Sequence, residues 1–317
     1  MYIVNWITTY IFSNQINQEK RQAYACLFSF ISYNILLLKG DDFLNNFFTM
    51  KETVITYIDT CHSKLNSPLG KLIGKAILAG MMISMGAACS SVAAHNITNV
   101  GLARLTAGVV FPVGLMMVIL FGANLFTGDC LVSMSVFDKK EKVSKCAKLL
   151  VLVYIGNFIG AFLTAFMIVE SGQLDYSSGL LGAYTIKVAL GKVNLPFAQA
   201  VVSGILCNIL VCAAVLMAIC AKDISGKILV SFFVIMLFVT GGFEHCVANM
   251  YYITSGLMAA NNPEYVEMAM STYGYTQETL AALNIVNFFK VNLLPVTIGN
   301  IIGGSFVIGG SAYYLNK

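Results

Sequence analysis

After residue 70 the chain runs in apolar stretches that almost no charge interrupts, and this limits its fold more than any other feature. Ala76–Ala94 and Leu149–Val169 carry no charge. Uncharged spans also lie within 193–221 and 291–316. A helix needs about 20 apolar residues to cross a hydrocarbon core of about 30 Å. Only 11% of the 317 residues are Asp, Glu, Lys or Arg, against about 25% in an ordinary soluble domain. Too little charge is present to coat a water-soluble globule, so the chain is expected to cross a lipid bilayer several times. A net charge of +4 gives no case for a nucleic-acid partner. The nine cysteines form neither CxxC nor a zinc spacing, and most fall in apolar runs. They read as buried thiols, and no cofactor or metal is expected.

Two further runs are too long for simple spans. Residues 105–137 hold one charge, Asp129, and residues 228–262 hold Glu244 and His245 near the middle. As straight helices, each would reach about 50 Å. Each is therefore expected to be a span, a break and a second short helix. Irregular backbone at membrane depth survives only where protein buries it or where it lines a cavity. The breaks are placed at 124–128 (Asn-Leu-Phe-Thr-Gly) and 242–249 (Gly-Phe-Glu-His-Cys-Val-Ala-Asn).

The loops alternate in charge as six spans require. Lys64, Lys71 and Lys75 precede the first span. Lys139, Lys140, Lys142, Lys145 and Lys148 follow the second, Lys222 and Lys227 the fourth, and Lys317 the last. The opposite loops carry Arg104, Lys187, Lys192 and Lys290, with Glu264, Glu267 and Glu278 in the loop after the fifth span. Positive residues accumulate on the cytoplasmic side, so both ends of a six-span unit in the cell (inner or plasma) membrane are expected to be cytoplasmic.

The order simple, broken, simple occurs twice. Ile155-Gly-Asn-Phe-Ile-Gly160 in span three returns as Ile298-Gly-Asn-Ile-Ile-Gly303 in span six. Ala76-Ile-Leu-Ala-Gly-Met-Met-Ile83 in span one resembles Gly204-Ile-Leu-Cys-Asn-Ile-Leu-Val211 in span four. Three spans per unit make the second repeat insert upside down, a plan common in transporters. The glycines four apart in both motifs allow close helix crossing. The layout is a helix over 50–70, repeat one over 71–170 and repeat two over 193–316. Val54, Ile58, Cys61 and Leu65 give the first helix an apolar stripe. Residues 1–49 are an extension that contains Trp6 and an uncharged stretch, 22–38. They form a seventh helix or precede a natural start at Met50, and the second reading is preferred.

Titratable groups inside a membrane are costly and mark function by default. His245 is the one histidine inside a span, on a break beside Glu244. A neutral imidazole can donate a hydrogen bond or a proton to an anion. Thr127 offers a hydroxyl from the other repeat, and Asn208 offers an amide. Lys192 either draws anions to the outer mouth or snorkels at the interface. Glu244 reads as a structural acceptor that orients loop donors. A zinc-peptidase HExxH motif is missing, so an intramembrane enzyme is not expected.

Leu125-Phe-Thr-Gly128, Gly204–Cys212, Gly242-Phe-Glu-His245 with Val247-Ala-Asn-Met250, and Asn292–Asn300 together resemble the signatures of the formate/nitrite transporter family, which includes hydrosulfide channels. The resemblance runs from about Met50 to Asn316. It implies an all-α membrane protein: six helices in two inverted three-helix repeats around an aquaporin-like pore, with helices 2 and 5 broken. It also implies a homopentamer in which each protomer conducts small anions (formate, nitrite or hydrosulfide), together with protons. The central histidine would be His245, the loop hydroxyl Thr127, the outer lysine Lys192 and the pore asparagine Asn208. Glu244, Asn249 and Asn124 would support them. Asn124 stands where the family usually has Asp, Glu or Ser. One constriction would fall on Leu115, Leu125 and Phe238, and the other on Phe111, Phe126 and Val211. A channel for a neutral small solute is the alternative, although the paired Asn-Pro-Ala loops of aquaporins are absent.

Overall fold

The computed structural model describes residues 46–317. The expectations for the seventh helix and for Trp6 lie outside these residues. The described chain is helical. It begins with α1 (Met50–Leu65), where Thr49 and Glu52 close a reciprocal capping box that satisfies two otherwise orphaned amides. Val54, Ile58 and Cys61 of α1 are buried, as the stripe predicts. Burial pushes the Cys61 thiol up to about 12, while the nearby Lys64 opposes the shift. That holds Cys61 as an inert packing group.

Among the described residues, six helices are long and apolar enough to span a bilayer. They are α2 (Leu69–Ala94), α3 (Val100–Phe121), α5 (Val143–Glu170), α7 (Phe197–Cys220), α8 (Ile224–Gly241) and α12 (Ile285–Asn316). The short helix α4 (Phe126–Phe137) continues the path of α3, and α9 (Cys246–Ala259) continues that of α8. Both overlong runs are thus broken, as expected from their length. Helix α3 is also interrupted at Phe111–Pro112, because proline lacks the amide that the ladder needs there.

The repeat is visible in the packing. Helix α5 crosses α2 through Gly156 and Gly160, which lie on Ala76 and Ile77. Helix α12 crosses α7 through Gly299 and Gly303, which lie on Val201, Gly204 and Ile205. A methyl group at Gly156, Gly160, Gly299 or Gly303 would collide with the facing helix, so the glycines set the crossing distance.

Three features of the fold are not apparent in the sequence. The segment expected as a loop before span four contains a helix, α6 (Leu180–Val193), with eight buried residues. Residues 263–281, also expected as loop, form α10 (Pro263–Tyr273) and α11 (Gln277–Ala281). Helix α12 contains two π-helical stretches, Phe288–Leu293 and Ile302–Ile308. Such widenings are common at functional sites. Helices α6, α10 and α11 lie on one face of the spanning bundle. Helix α1 and the chain end lie on the other, where Lys317 pairs with Asp138 and holds that carboxyl below its ordinary range.

Candidate functional site

The two breaks share one backbone design. Helix α3 ends at Gly122 with φ 60°, and α8 ends at Gly242 with φ 71°. The left-handed turn favours glycine in both. Three residues later the chain is extended, at Leu125 (φ −107°, ψ 124°) and at His245 (φ −112°, ψ 114°). These residues begin α4 and α9.

An asparagine clamps each loop. Asn157 on α5 accepts from the Phe126 amide at 2.9 Å and donates to the carbonyls of Asn124 (2.9 Å) and Ala76 (2.7 Å). Asn300 on α12 accepts from the Cys246 amide at 2.9 Å and donates to the carbonyls of Glu244 (3.0 Å) and Gly204 (2.8 Å). These are the asparagines of the repeated Ile-Gly-Asn motif. They satisfy backbone groups that a break would otherwise leave bare in a dry interior.

The side chains of the two loops differ. Thr127 and His245 meet across the repeats, with Oγ1 and Nε2 2.8 Å apart, and both are buried. His245 also caps α9, since its Nδ1 accepts from the Ala248 amide at 3.0 Å. A backbone N–H can only donate, so the proton of the neutral ring sits on Nε2 and faces Thr127. Asn208 donates to the Thr127 carbonyl at 3.2 Å and to the Asn300 carbonyl at 2.6 Å, tying the first loop to α12. Cys212, one turn further along α7, donates to the same Thr127 carbonyl at 3.2 Å.

Glu244 is the hub of a second network. Its carboxylate accepts from Lys192 Nζ at 2.9 Å, from Asn249 at 2.6 Å and from Asn292 at 3.3 Å. Its amide donates to Ser203 Oγ at 3.1 Å. Lys192 sits in the last turn of α6 with its ammonium 5.3 Å from the Tyr252 ring centroid. It is neither extended toward the interface nor free of a partner. Asn124 is buried at the corresponding place in the first loop. Its amide donates to the Lys75 carbonyl at 3.3 Å, and its own carbonyl accepts from Asn157.

A cavity of about 810 Å³ opens on the α6 face and descends to Phe111, Phe238 and His245. Beneath it lies a void of about 10 Å³ lined by Phe111, Leu115, Leu125, Val211, Phe238 and His245, among others, room for about one water. Phe111 and Phe238 meet edge to face at 5.5 Å and close the passage between the two spaces. Leu115, Leu125 and Phe238, expected at one constriction, and Phe111 and Val211, expected at the other, all line this one small void. Phe111 precedes Leu115 on α3 by one turn, about 6 Å, and Phe238 near the end of α8 comes level with it. Phe126 turns away and packs on the Tyr154 ring at 4.9 Å.

Sequence reasoning did not assign Asn157, Asn300, Asn292 or Cys212 to the site. The signal for the first two was the repeated motif itself, where the glycines drew attention and the asparagine between them did not. Among the described residues, no cluster of His, Cys, Asp and Glu could hold a metal ion.

Inverted repeats, two clamped breaks and a polar centre beneath an aromatic gate define a multi-pass membrane channel. The sequence profile of the family described as "Formate/nitrite transporter" matches residues 51–314. The chain belongs to that family. It is 36% identical to the formate channel FocA of Haemophilus influenzae over 219 residues, covering 68% of this chain and 76% of that one. It is 34% identical to FocA of Escherichia coli K12, covering 74% and 82%. A solved pentameric formate channel with formate bound superposes with a TM-score of 0.69 at 32% identity, covering 78% of this chain and 96% of that one.

Proposed function

We propose that the channel passes small monovalent anions of weak acids, with formate first, then nitrite and hydrosulfide, and that a proton is taken up at the centre and released beyond it. The buried His245–Thr127 pair at 2.8 Å, immediately below the Phe111–Phe238 gate, carries this reading. A bare anion crossing the ring pair and the apolar ring of Leu115, Leu125 and Val211 would forfeit its hydration at a cost of many kcal/mol. A neutral acid forfeits far less. The ring proton on Nε2 points at the Thr127 hydroxyl. That hydroxyl can pass a hydrogen bond to an anion arriving from the cavity, and the proton the anion takes up comes from water in the cavity, since the neutral ring would become an imidazolate if it gave up its one N–H. His245 Nδ1 stays committed to the α9 amide, so the ring faces the path only through its Nε2–H donor. Beyond the ring the acid ionises again in water, and the reverse sequence serves export.

The lysine asymmetry of the loops supports an arrangement in which α1 and the end of the chain face the cytoplasm and the large cavity faces outward, in the inner or plasma membrane. Formate channel relatives and the pentameric solved relative support a homopentamer with one pathway per protomer. In proteoliposomes, His245→Phe is expected to lower formate and nitrite flux at least tenfold and to change its pH dependence, a magnitude in keeping with the loss of a positioned donor in a dry site. Unchanged flux and pH profile would refute the role of His245.

A further inference from the structure

The large cavity is more cationic than the central site requires. Its lining includes Arg104, Lys187 and Lys192, and among the described residues Glu244 is its only acidic lining residue. The Glu244 carboxylate is taken by Lys192, Asn249 and Asn292. Lys187 stands over the Tyr273 ring at 4.4 Å. Arg104 is exposed in the cavity. Among the described residues it has no carboxylate partner, and none of its hydrogens is committed.

Arg104 also lies beside the second break. Its guanidinium lies against Gly242 at the point a methyl group would occupy, three residues before His245. Arg104 and Phe111 are seven residues apart on one face of α3, so the backbone of Arg104 stands about 10 Å above that of Phe111. A cation near the carboxyl end of α8 could serve merely as a cap. The amide of Gly242, however, already takes the carbonyls of Phe238 and Val239. Capping therefore leaves the guanidinium's five donors unspent.

We propose that Arg104 is a selectivity residue: it receives planar two-oxygen anions, carboxylates and nitrite, in a fork of parallel hydrogen bonds before they reach the gate. A guanidinium matches two coplanar oxygens, whereas an ammonium acts as a point charge. An anion with a single heavy atom, such as hydrosulfide, gains the charge but not the fork. Lys187 adds to the field without adding this geometry. The inference rests on the anion-channel reading above.

The test is initial flux in proteoliposomes of the full chain, with formate, nitrite and hydrosulfide, for wild type, Arg104→Lys and Arg104→Gln. Arg104→Lys keeps the charge and loses the fork. The half-saturation concentrations for formate and nitrite are expected to rise about fivefold to tenfold, while that for hydrosulfide rises less than twofold. Arg104→Gln is expected to raise all three. A ratio of formate to hydrosulfide half-saturation that stays the same in Arg104→Lys overturns the proposal. So does a proportional loss of maximal flux for all anions with a fallen melting temperature, the signature of a structural cap. A wild type that passes none of these anions would instead strike the channel reading itself.

Discussion

The two break loops have one backbone and two chemistries. At 122–125 and 242–245 the chain makes the same left-handed turn, the same extended residue and the same three bonds to an asparagine on the third span of its repeat. Around this frame the first loop places Asn124, Leu125 and Phe126, and the second places Glu244, His245 and Cys246. Among the described residues, only the second carries an ion pair on the loop itself, with amides from α9 and α12, whereas the nearest pair to the first, Lys64–Asp129, lies beyond it in α4. The frame belongs to the fold, which needs both loops sealed at membrane depth. The chemistry belongs to one copy, and the other contributes Thr127 and the apolar ring. A pore symmetric in chemistry as well as in backbone would put two titratable groups in the dry centre, at twice the cost.

Breaking the second loop's brace should give the largest effect. Lys192→Met leaves Glu244 buried without its counter-charge, and a cut buried pair costs about 3–5 kcal/mol. The thermal midpoint in detergent should fall sharply. Asn124→Ala in the first loop should cost under about 1 kcal/mol, as for a change that severs no buried network. Equal losses would mean that the ion pair is not what distinguishes the loops. The double variant Lys192→Met, Glu244→Met should recover part of the loss, because it removes the stranded charge.

The clamps come next, and they test the shared frame. Asn157→Leu and Asn300→Leu each deprive three backbone groups of a partner. Each should cost about 3 kcal/mol, within the range for unsatisfied buried groups. The two should be alike in stability and unlike in function. Asn300→Leu loosens the amide of Cys246, next to His245, and should alter the pH profile of formate flux. Asn157→Leu should mainly lower the amount of folded channel. A large stability gap between them would show that the repeats do not share their clamp.

How far these roles are legible in the sequence depends on the distance over which each is determined. Span lengths, the two breaks, the glycine crossings and the placement of His245 follow from patterns within 35 residues or from a motif seen twice. Helix α6 does not, because its burial comes from α9 and from Tyr265 of α10, which covers Gly182. Nor does the Lys192–Glu244 pair, whose members are 52 residues apart. The order of the constrictions depends on the level at which antiparallel helices meet, which no local pattern contains. Phe238 and Phe111 come together only once α8 is laid against α3.

The smallest difference concerns the turn glycines, and it joins the frame to the selectivity residue. Gly122→Ala forces a methyl-bearing residue into the left-handed region, at about 1–2 kcal/mol. Its surroundings are open, with the Lys75 ammonium the nearest group at 3.8 Å. The cost should therefore be strain alone, and flux per folded channel should stay near that of wild type. Gly242→Ala carries the same strain, and its methyl also takes the place of the Arg104 guanidinium. It should therefore raise the half-saturation concentration for formate as Arg104→Lys does, while adding little to the stability loss, since an exposed guanidinium can swing into the cavity. Matching flux from the two alanine variants would mean that the contact between Arg104 and the second loop has no bearing on how the anion is received, and the two turns would then differ in sequence alone.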